Sequence, residues 1–339
     1  MASISETIEI IFGATDNTSR VITGIGRNLH SLNNQVSDVT QPLDTLAGSL
    51  LKTETALVAL AAAYGGFSIQ KALDFKDAQG NLAKVLDATD PSVTSFTDNV
   101  IKLSEKYGIA ATAVLNGMAD FKQAGFDAKD AAVLEKQALD LTVAGDVDIG
   151  KASEILIASI KGFGAQASAA PRYIEALNNV SNHYATSLST LADGMVAISP
   201  IASKMGFSFE ETTGLLTPII EVFRSGPEAA NALKTGLLKL IDKSKPVGDA
   251  LNSIGVSQLD VNGKMRDGKS IFIDVAKAFK GLDKKQKLVI ASQITGVDQA
   301  GKMVIAFDSL KKSQDITAVA LKATGSRWVR NSFLGLTIQ

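Results

Sequence analysis

Apolar side chains recur at steps of three and four residues along most of this chain, and that spacing admits little besides helices packed on helices. Val21, Ile25, Leu29, Leu32 and Val36 follow it near the start, Val114, Met118 and Phe121 in the middle, and Leu233, Leu237 and Ile241 further on. At 3.6 residues per turn such positions fall on one stripe of a helix, and the stripe must be covered by another apolar surface. The kind of apolar residue agrees. The chain is 45% hydrophobic but only 6% aromatic, and Ala, which loses no side-chain entropy in a helix, makes up much of the difference. Seven prolines in 339 residues leave room for long helical runs. The expected fold is mainly α, an elongated multi-helix array with two small exceptions. Residues 7–12 set Ile8, Ile10 and Phe12 at period two, which predicts a short N-terminal strand. Asn262-Gly263, between short extended segments in 258–266, predicts one small β-hairpin.

Punctuation divides the chain into three regions. Residues 1–64 hold the strand and two helices (about 19–39 and 43–64, separated by Pro42), the second carrying an Ala-rich apolar segment. Residues 65–245 form a helical core, opening with helices near 67–86 and 92–107. Residues 246–339 hold the hairpin and C-terminal helices at 271–279, 284–294 and 299–321. The core repeats itself. Gly117-Met118, Gly125-Phe126 and Gly145 recur as Gly194-Met195, Gly206-Phe207 and Gly226. Two similar three-helix units follow, at about 110–164 and 187–245. Val114, Met118 and Phe121 correspond to Leu191, Met195 and Ile198; Leu134, Ala138 and Leu141 to Leu215, Ile219 and Val222; Ala152, Leu156 and Ile160 to Leu233, Leu237 and Ile241. Gly125 and Gly206 suit the left-handed position after a helix, and Asp127 and Ser208 can cap the next one, with Asp130 and Glu211 three residues on. Gly226-Pro227 starts the following helix with proline at its tolerated end. Pro218 is expected to kink the middle helix of the second unit.

Charge and chemistry exclude more than they suggest. There are 34 basic and 35 acidic side chains, a formal net charge of −1. Counterion release from nucleic acid needs clustered Lys and Arg; Lys284, Lys285 and Lys287, the densest group, read as a solvated helix face, so no sequence-specific nucleic-acid binding is expected. Absence of cysteine removes disulfides, thiolate nucleophiles and Cys-based zinc sites. The residues following Met1 have neither a basic nor an apolar run of the secretory kind. Ala56–Ile69 is uncharged for 14 residues, shorter than the roughly 20 residues of a spanning helix; it reads as a buried helix ending at Gly65-Gly66, with conditional membrane insertion as the alternative. His30 and His183, the two histidines, stand apart from any metal-ligand spacing. Gly24-x-Gly26 lacks the third glycine of a dinucleotide loop, Gly162-Phe163-Gly164 reads as a helix stop, and Asp260-x-Asn262-Gly263 lacks the ligand series of a calcium loop. The carboxylate pairs Glu210-Glu211 and Asp146-x-Asp148 sit at helix starts, where negative charge opposes the helix dipole. The expectation is a non-enzyme with no catalytic, cofactor-binding or metal-binding residues.

Three segments carry a resemblance. They are Gly206-Phe207-Ser208-Phe209-Glu210-Glu211 leading to Gly226-Pro227-Glu228-Ala229-Ala230 and residues 233–240; Leu251-Asn252-Ser253-Ile254-Gly255-Val256 followed by Asn262-Gly263-Lys264-Met265-Arg266; and Phe279-Lys280-Gly281-Leu282 with residues 291–301. With the Gly125-Phe126 unit they cover about 65–325 and resemble the conserved N-terminal core region of phage and prophage tail tape-measure proteins. The resemblance implies a structural protein of tail assembly, lodged in the tail tube, whose length sets tail length and which leaves ahead of DNA at infection. It implies location in the virion tail, and in host cytoplasm during assembly. It implies tail-tube protein, tail-assembly chaperones and distal tail or baseplate proteins as partners, together with homo-oligomers and transient host-membrane contact. Members usually continue far beyond this region, so a chain ending at Gln339 reads as truncated, as a natural fragment, or as the tape of an unusually short tail. A membrane-active or pore-forming helical protein is the alternative.

Overall fold

Helix caps written into the sequence set the starts of about half of the helices. In the computed structural model, residues 74–85 and 100–322 are described, apart from 75, 76, 79, 83, 101, 105 and 146, and all belong to one unit of the chain. Twelve α-helices lie between residues 111 and 321: α1 (Ala111–Gln123), α2 (Ala128–Gly145), α3 (Ile149–Gly162), α4 (Ala170–His183), α5 (Leu188–Lys204), α6 (Phe209–Phe223), α7 (Gly226–Leu240), α8 (Lys245–Ser253), α9 (Gly268–Phe279), α10 (Lys284–Thr295), α11 (Val297–Asp308) and α12 (Leu310–Leu321). Further helical residues occur in 74–85 and 100–107, and a 3-10 turn, Ala167–Ala169, leads into α4. Asp148, Ser187, Ser225 and Asp267 each accept a hydrogen bond from the N–H three residues on. Ser208 with Glu211 and Asp283 with Gln286 bond reciprocally, satisfying two free donors at each helix start. Gly125 (φ 83°) and Gly206 (φ 89°) take the left-handed conformation expected after α1 and α5.

Each of α1, α2 and α3 packs on the other two, and α5, α6 and α7 do the same in the same chain order; α3 also packs on α5. The stripes predicted within 110–164 and 187–245 lie in the core. Their residues are buried, with two exceptions at helix ends: Val222, in the last turn of α6, is 60% exposed, and Ile241, just past α7, is half-buried. Small residues let backbones meet. Gly194 of α5 faces the carbonyl of Gly226 at the start of α7, and Gly214 of α6 faces the Ser313 carbonyl of α12. Beyond α7 the core turns aromatic. Phe272 of α9 and Phe307 of α11 have ring centroids 5.1 Å apart, Phe279 lies 4.8 Å from Phe307, and Phe207 meets Phe272 edge-on at 5.8 Å.

Two expectations are revised. The hairpin is reduced to a single antiparallel bridge, Leu259 to Met265, and no strand occurs among the described residues. The Asp260 carboxylate accepts the N–H groups of both Asn262 and Lys264, closing the loop tightly, with Gly263 at φ 73°, and the chain enters α9 soon after. The single helix expected over 299–321 starts at Val297 and breaks at Ser309 (φ −90°, ψ 14°). The break separates α11, which packs on α10, from α12, which packs on α6 and α4. Pro218 lies inside α6, which runs unbroken for 15 residues, as Pro200 lies inside α5. The expected strand at 7–12, the helices at 19–39 and 43–64 and the segment Ala56–Ile69 lie outside the described residues. Among the described residues no helix is long and apolar enough to cross a membrane.

Candidate functional site

The residues singled out for chemistry are dispersed, and those that are described have structural partners. His183 ends α4 exposed, its Nδ1 2.7 Å from the Asn179 carbonyl; His30 lies outside the described residues. Asp148 caps α3 through the Lys151 N–H at 2.9 Å, while Asp146 is not described. Gly162 ends α3 and Gly164 follows at φ 61°, a helix stop. Asp260 is occupied by its own loop. Lys284 and Lys285 are exposed on α10, but Lys287 turns away from them and pairs with Asp308 at 2.7 Å. Gly24 and Gly26 lie outside the described residues. Among the described residues no three His, Cys, Asp or Glu side chains gather as metal ligands do.

The pair Glu210-Glu211 divides between two tasks. Glu211 is half-exposed, completes the cap of α6 and reaches Lys269 of α9 at 2.6 Å. Glu210 is buried and lies 3.1 Å from the exposed Arg172 of α4. Beneath this pair Tyr173 stacks on Phe209 (centroids 3.9 Å apart, 3° between planes), and Phe163 meets both edge-on. Arg172 lies 5.3 Å from the Tyr173 ring. Burial raises the Tyr173 phenol, with the charge of Arg172 opposing the rise. The cluster ties the N-terminus of α6 to α3 and α4. Glu210 faces Arg172, and the pair caps the aromatic contact.

A second buried carboxylate has no such cation. Glu135 of α2 is fully buried, and neither of its oxygens has a hydrogen-bond partner. It lies against Gly117 of α1, where an added Cβ would stand 2.6 Å from Oε2. Burial pushes its pKa well above the usual glutamate range, and the neighbouring charge of Asp120 pushes it further; Asp120 is itself raised by burial. Sequence reasoning missed Glu135. Its one signal was a carboxylate beside Leu134, at the edge of an otherwise apolar stripe.

Two open clefts mark the surface. One, of about 420 Å³, lies between the start of α5 and the end of α6, where Arg224 (φ 57°) donates from Nη1 to the Ala185 carbonyl at 2.7 Å. The other, of about 590 Å³, runs between α8 and α10 and is lined by Pro246, Asp249, Ala250, Val289 and Ile290. Leu288 and Val289 are about half exposed on α10, and Val297 is 81% exposed where α11 begins. Apolar side chains exposed singly in this way are ordinary on a folded surface and mark no site by themselves.

Residues 97–296 match the family described as phage-related minor tail proteins. The chain is also similar to a tape measure protein of Pneumococcus phage Dp-1, with 22% identity over 258 residues, covering 76% of this chain and 22% of that protein. A probable tape measure protein of Clostridium phage phiCD119 is 22% identical over 222 residues, covering 62% of this chain and 24% of that protein. The chain thus spans less than a quarter of the length of these relatives. No solved structure matches it.

Proposed function

The chain belongs to the family of phage-related minor tail proteins, and from that premise we propose that it is a non-enzymatic stretch of a tail tape-measure protein. In this reading it acts in tail assembly and tail-length determination and in the passage of DNA at infection. The observation that carries the reading is similarity across three-quarters of the chain to a protein named as a tape measure. The helical fold agrees, because helices joined by short capped turns can lie along a tube. Fully extended as one helix, 339 residues would span on the order of 510 Å at about 1.5 Å per residue. An elongated arrangement would reach less, because turns interrupt it. The partners in this reading are the tail-tube protein, tail-assembly chaperones, distal tail or baseplate proteins and further copies of the chain. Its places are the virion tail and, before that, the host cytoplasm. We read α1–α3 and α5–α7 as two copies of one unit, supported by the matched left-handed glycines and by the same packing order within each set.

In-frame deletion of residues 187–245 from the phage gene tests the reading, with particles examined by electron microscopy. Tail formation should fail, or tails should change in length; normal tails of unchanged length would overturn it. Sedimentation of the purified chain adds a second readout, since self-association or dependence on chaperones is expected of exposed apolar surface such as Leu288 and Val289. The uncharged run Ala56–Ile69 is what motivates the alternative of a membrane-active protein, which the similarity to tape measure proteins does not favour. Leakage of dye from liposomes on adding the chain would support that alternative.

A further inference from the structure

Glu135 occupies a place where the second three-helix set carries leucine. Counting from the left-handed glycines, Glu135 stands ten residues after Gly125 and Leu216 ten residues after Gly206. The neighbours correspond as well. Glu135 lies against Gly117 of α1, and the Leu216 side chain lies against Gly194 of α5, where an added Cβ would meet its Cδ1 at 3.2 Å. Gly117-Met118 and Gly194-Met195 are the matched dipeptides of the repeat. One pocket between a first and a second helix is thus filled by an apolar side chain in one set and by a carboxyl group without a hydrogen-bond partner in the other. The wall that Glu135 touches is helix backbone at a glycine, whose N–H groups are committed within α1, so the helix wall offers the carboxylate no donor.

The charged and titratable groups around Glu135 do not repair this. Facing elements carry Asp120 and Lys122 on α1, Lys151, Glu154 and Lys161 on α3, and Arg172, Tyr173, Glu175 and His183 on α4; the 3-10 turn has none. On α2 itself are Lys129, Asp130, Lys136 and Asp140, with Tyr107 bonded to Asp140. Four of these cations are placed elsewhere: Lys151 pairs with Glu154 and Asp193, Arg172 with Glu210, Lys136 with Asp140, and Lys161 lies over the Phe126 ring. The neighbour whose charge acts on Glu135 is Asp120, and it repels.

We propose that Glu135 makes the α1–α3 set a pH-sensitive element, closed when this carboxyl is protonated and loosened when it is ionised, while the α5–α7 set, with Leu216 in the matching place, does not respond. The sign follows from linkage. The closed set binds the proton more tightly than an opened one, so its stability is full below the ordinary glutamate value near 4.5. It is lost as pH rises from there towards the raised value in the closed state, by up to about tenfold in the opening equilibrium per pH unit, since one proton is linked. The inference does not depend on the tail role.

Hydrogen exchange of the full chain, followed by mass spectrometry at pH 5 and pH 8 and corrected for intrinsic exchange, tests it. Peptides from 111–145 should lose at least about tenfold in protection at the higher pH, while peptides from 188–240 should hold theirs. Glu135→Gln should abolish the difference, and Glu135→Leu should abolish it and raise protection at pH 8. Leu216→Glu should transfer the pH dependence to 188–240; if that variant does not fold, the Glu135→Gln comparison decides. Equal protection of 111–145 at both pH values in the unaltered chain, or a pH dependence that survives Glu135→Gln, would overturn the proposal.

Discussion

Replacing Gly226 with alanine should damage the protein more than any other single methyl group added to a glycine of α5 or α7 described above. Gly226 opens α7 where it crosses α5, and it has no residue-specific backbone requirement, since its φ is not in the left-handed region. Its role is clearance. A Cβ there would stand 2.8 Å from the Gly194 nitrogen and closer still to the Thr190 carbonyl oxygen. Carbon–oxygen contacts settle at about 3.3–3.6 Å, so α7 would be pushed off α5 by on the order of 1 Å. Both obstacles are backbone, so no rotamer change relieves them. The displaced interface includes Leu191, Met195, Leu233 and Leu237, all fully buried. Overpacking of a close-packed core costs about 1–3 kcal/mol, and a clash with backbone on both sides belongs at about 3 kcal/mol. Gly301→Ala is the control. That glycine is exposed inside α11, and an added Cβ would meet nothing within 4 Å. Alanine should stabilise there by roughly 0.5–1 kcal/mol, through helix propensity and the narrower unfolded ensemble. Urea unfolding followed by far-ultraviolet circular dichroism would measure both from the midpoint at constant slope. A Gly226→Ala midpoint equal to that of the parent, or no lower than that of Gly301→Ala, would refute the close-crossing argument.

Leu237→Asp should unfold the α5–α7 set, because Leu237 is fully buried and a carboxylate there would lack a partner; Lys239→Asp, on the exposed face two residues on, should leave the thermal midpoint nearly unchanged although it removes the surface pair with Asp242. Ser208→Ala should cost about 1 kcal/mol in the same urea experiment, through loss of the α6 capping box, and a change below the error of the midpoint would count against that cap. Tyr107 should be among the last tyrosines to ionise in a spectrophotometric titration. Burial first, then its hydrogen bond to Asp140 and that residue's charge, raise the phenol above its ordinary value of 10.0. Whatever stability it lends is therefore present below that value and lost only as pH rises through the raised one, and Tyr107→Phe should remove the late component.

Much of the helical layout was legible because it is written locally. Gly125, Gly206, Ser208, Asp127 and Pro227 mark boundaries through backbone conformation and capping, which depend on a few neighbouring residues. The stripes were legible for the same reason, since periodicity reports which face is covered without saying by what. What failed depends on tertiary placement. Val222 fits the α6 stripe by spacing, yet it lies in the last turn, past the covering helices. The break at Ser309 has no glycine or proline to announce it; past it the chain shifts from packing chiefly on α10 to packing chiefly on α6 and α4. At 258–266 the Asn262-Gly263 signal correctly marked a turn, but Asp260 closes it so tightly that only one bridge forms. Glu135 was invisible because a glutamate beside a stripe ordinarily reaches solvent. Only the fold shows that Gly117 leaves it a place inside, and that Leu216 fills the equivalent place.

Cross-linking followed by mass spectrometry on purified phage particles, before and after DNA ejection, tests the tail assignment most directly. Peptides from residues 100–322 should link to the tail-tube subunit in full particles, and those links should vanish once DNA has left. A chain missing from purified tails, or one still linked to the tube with the same pattern after ejection, would contradict the account.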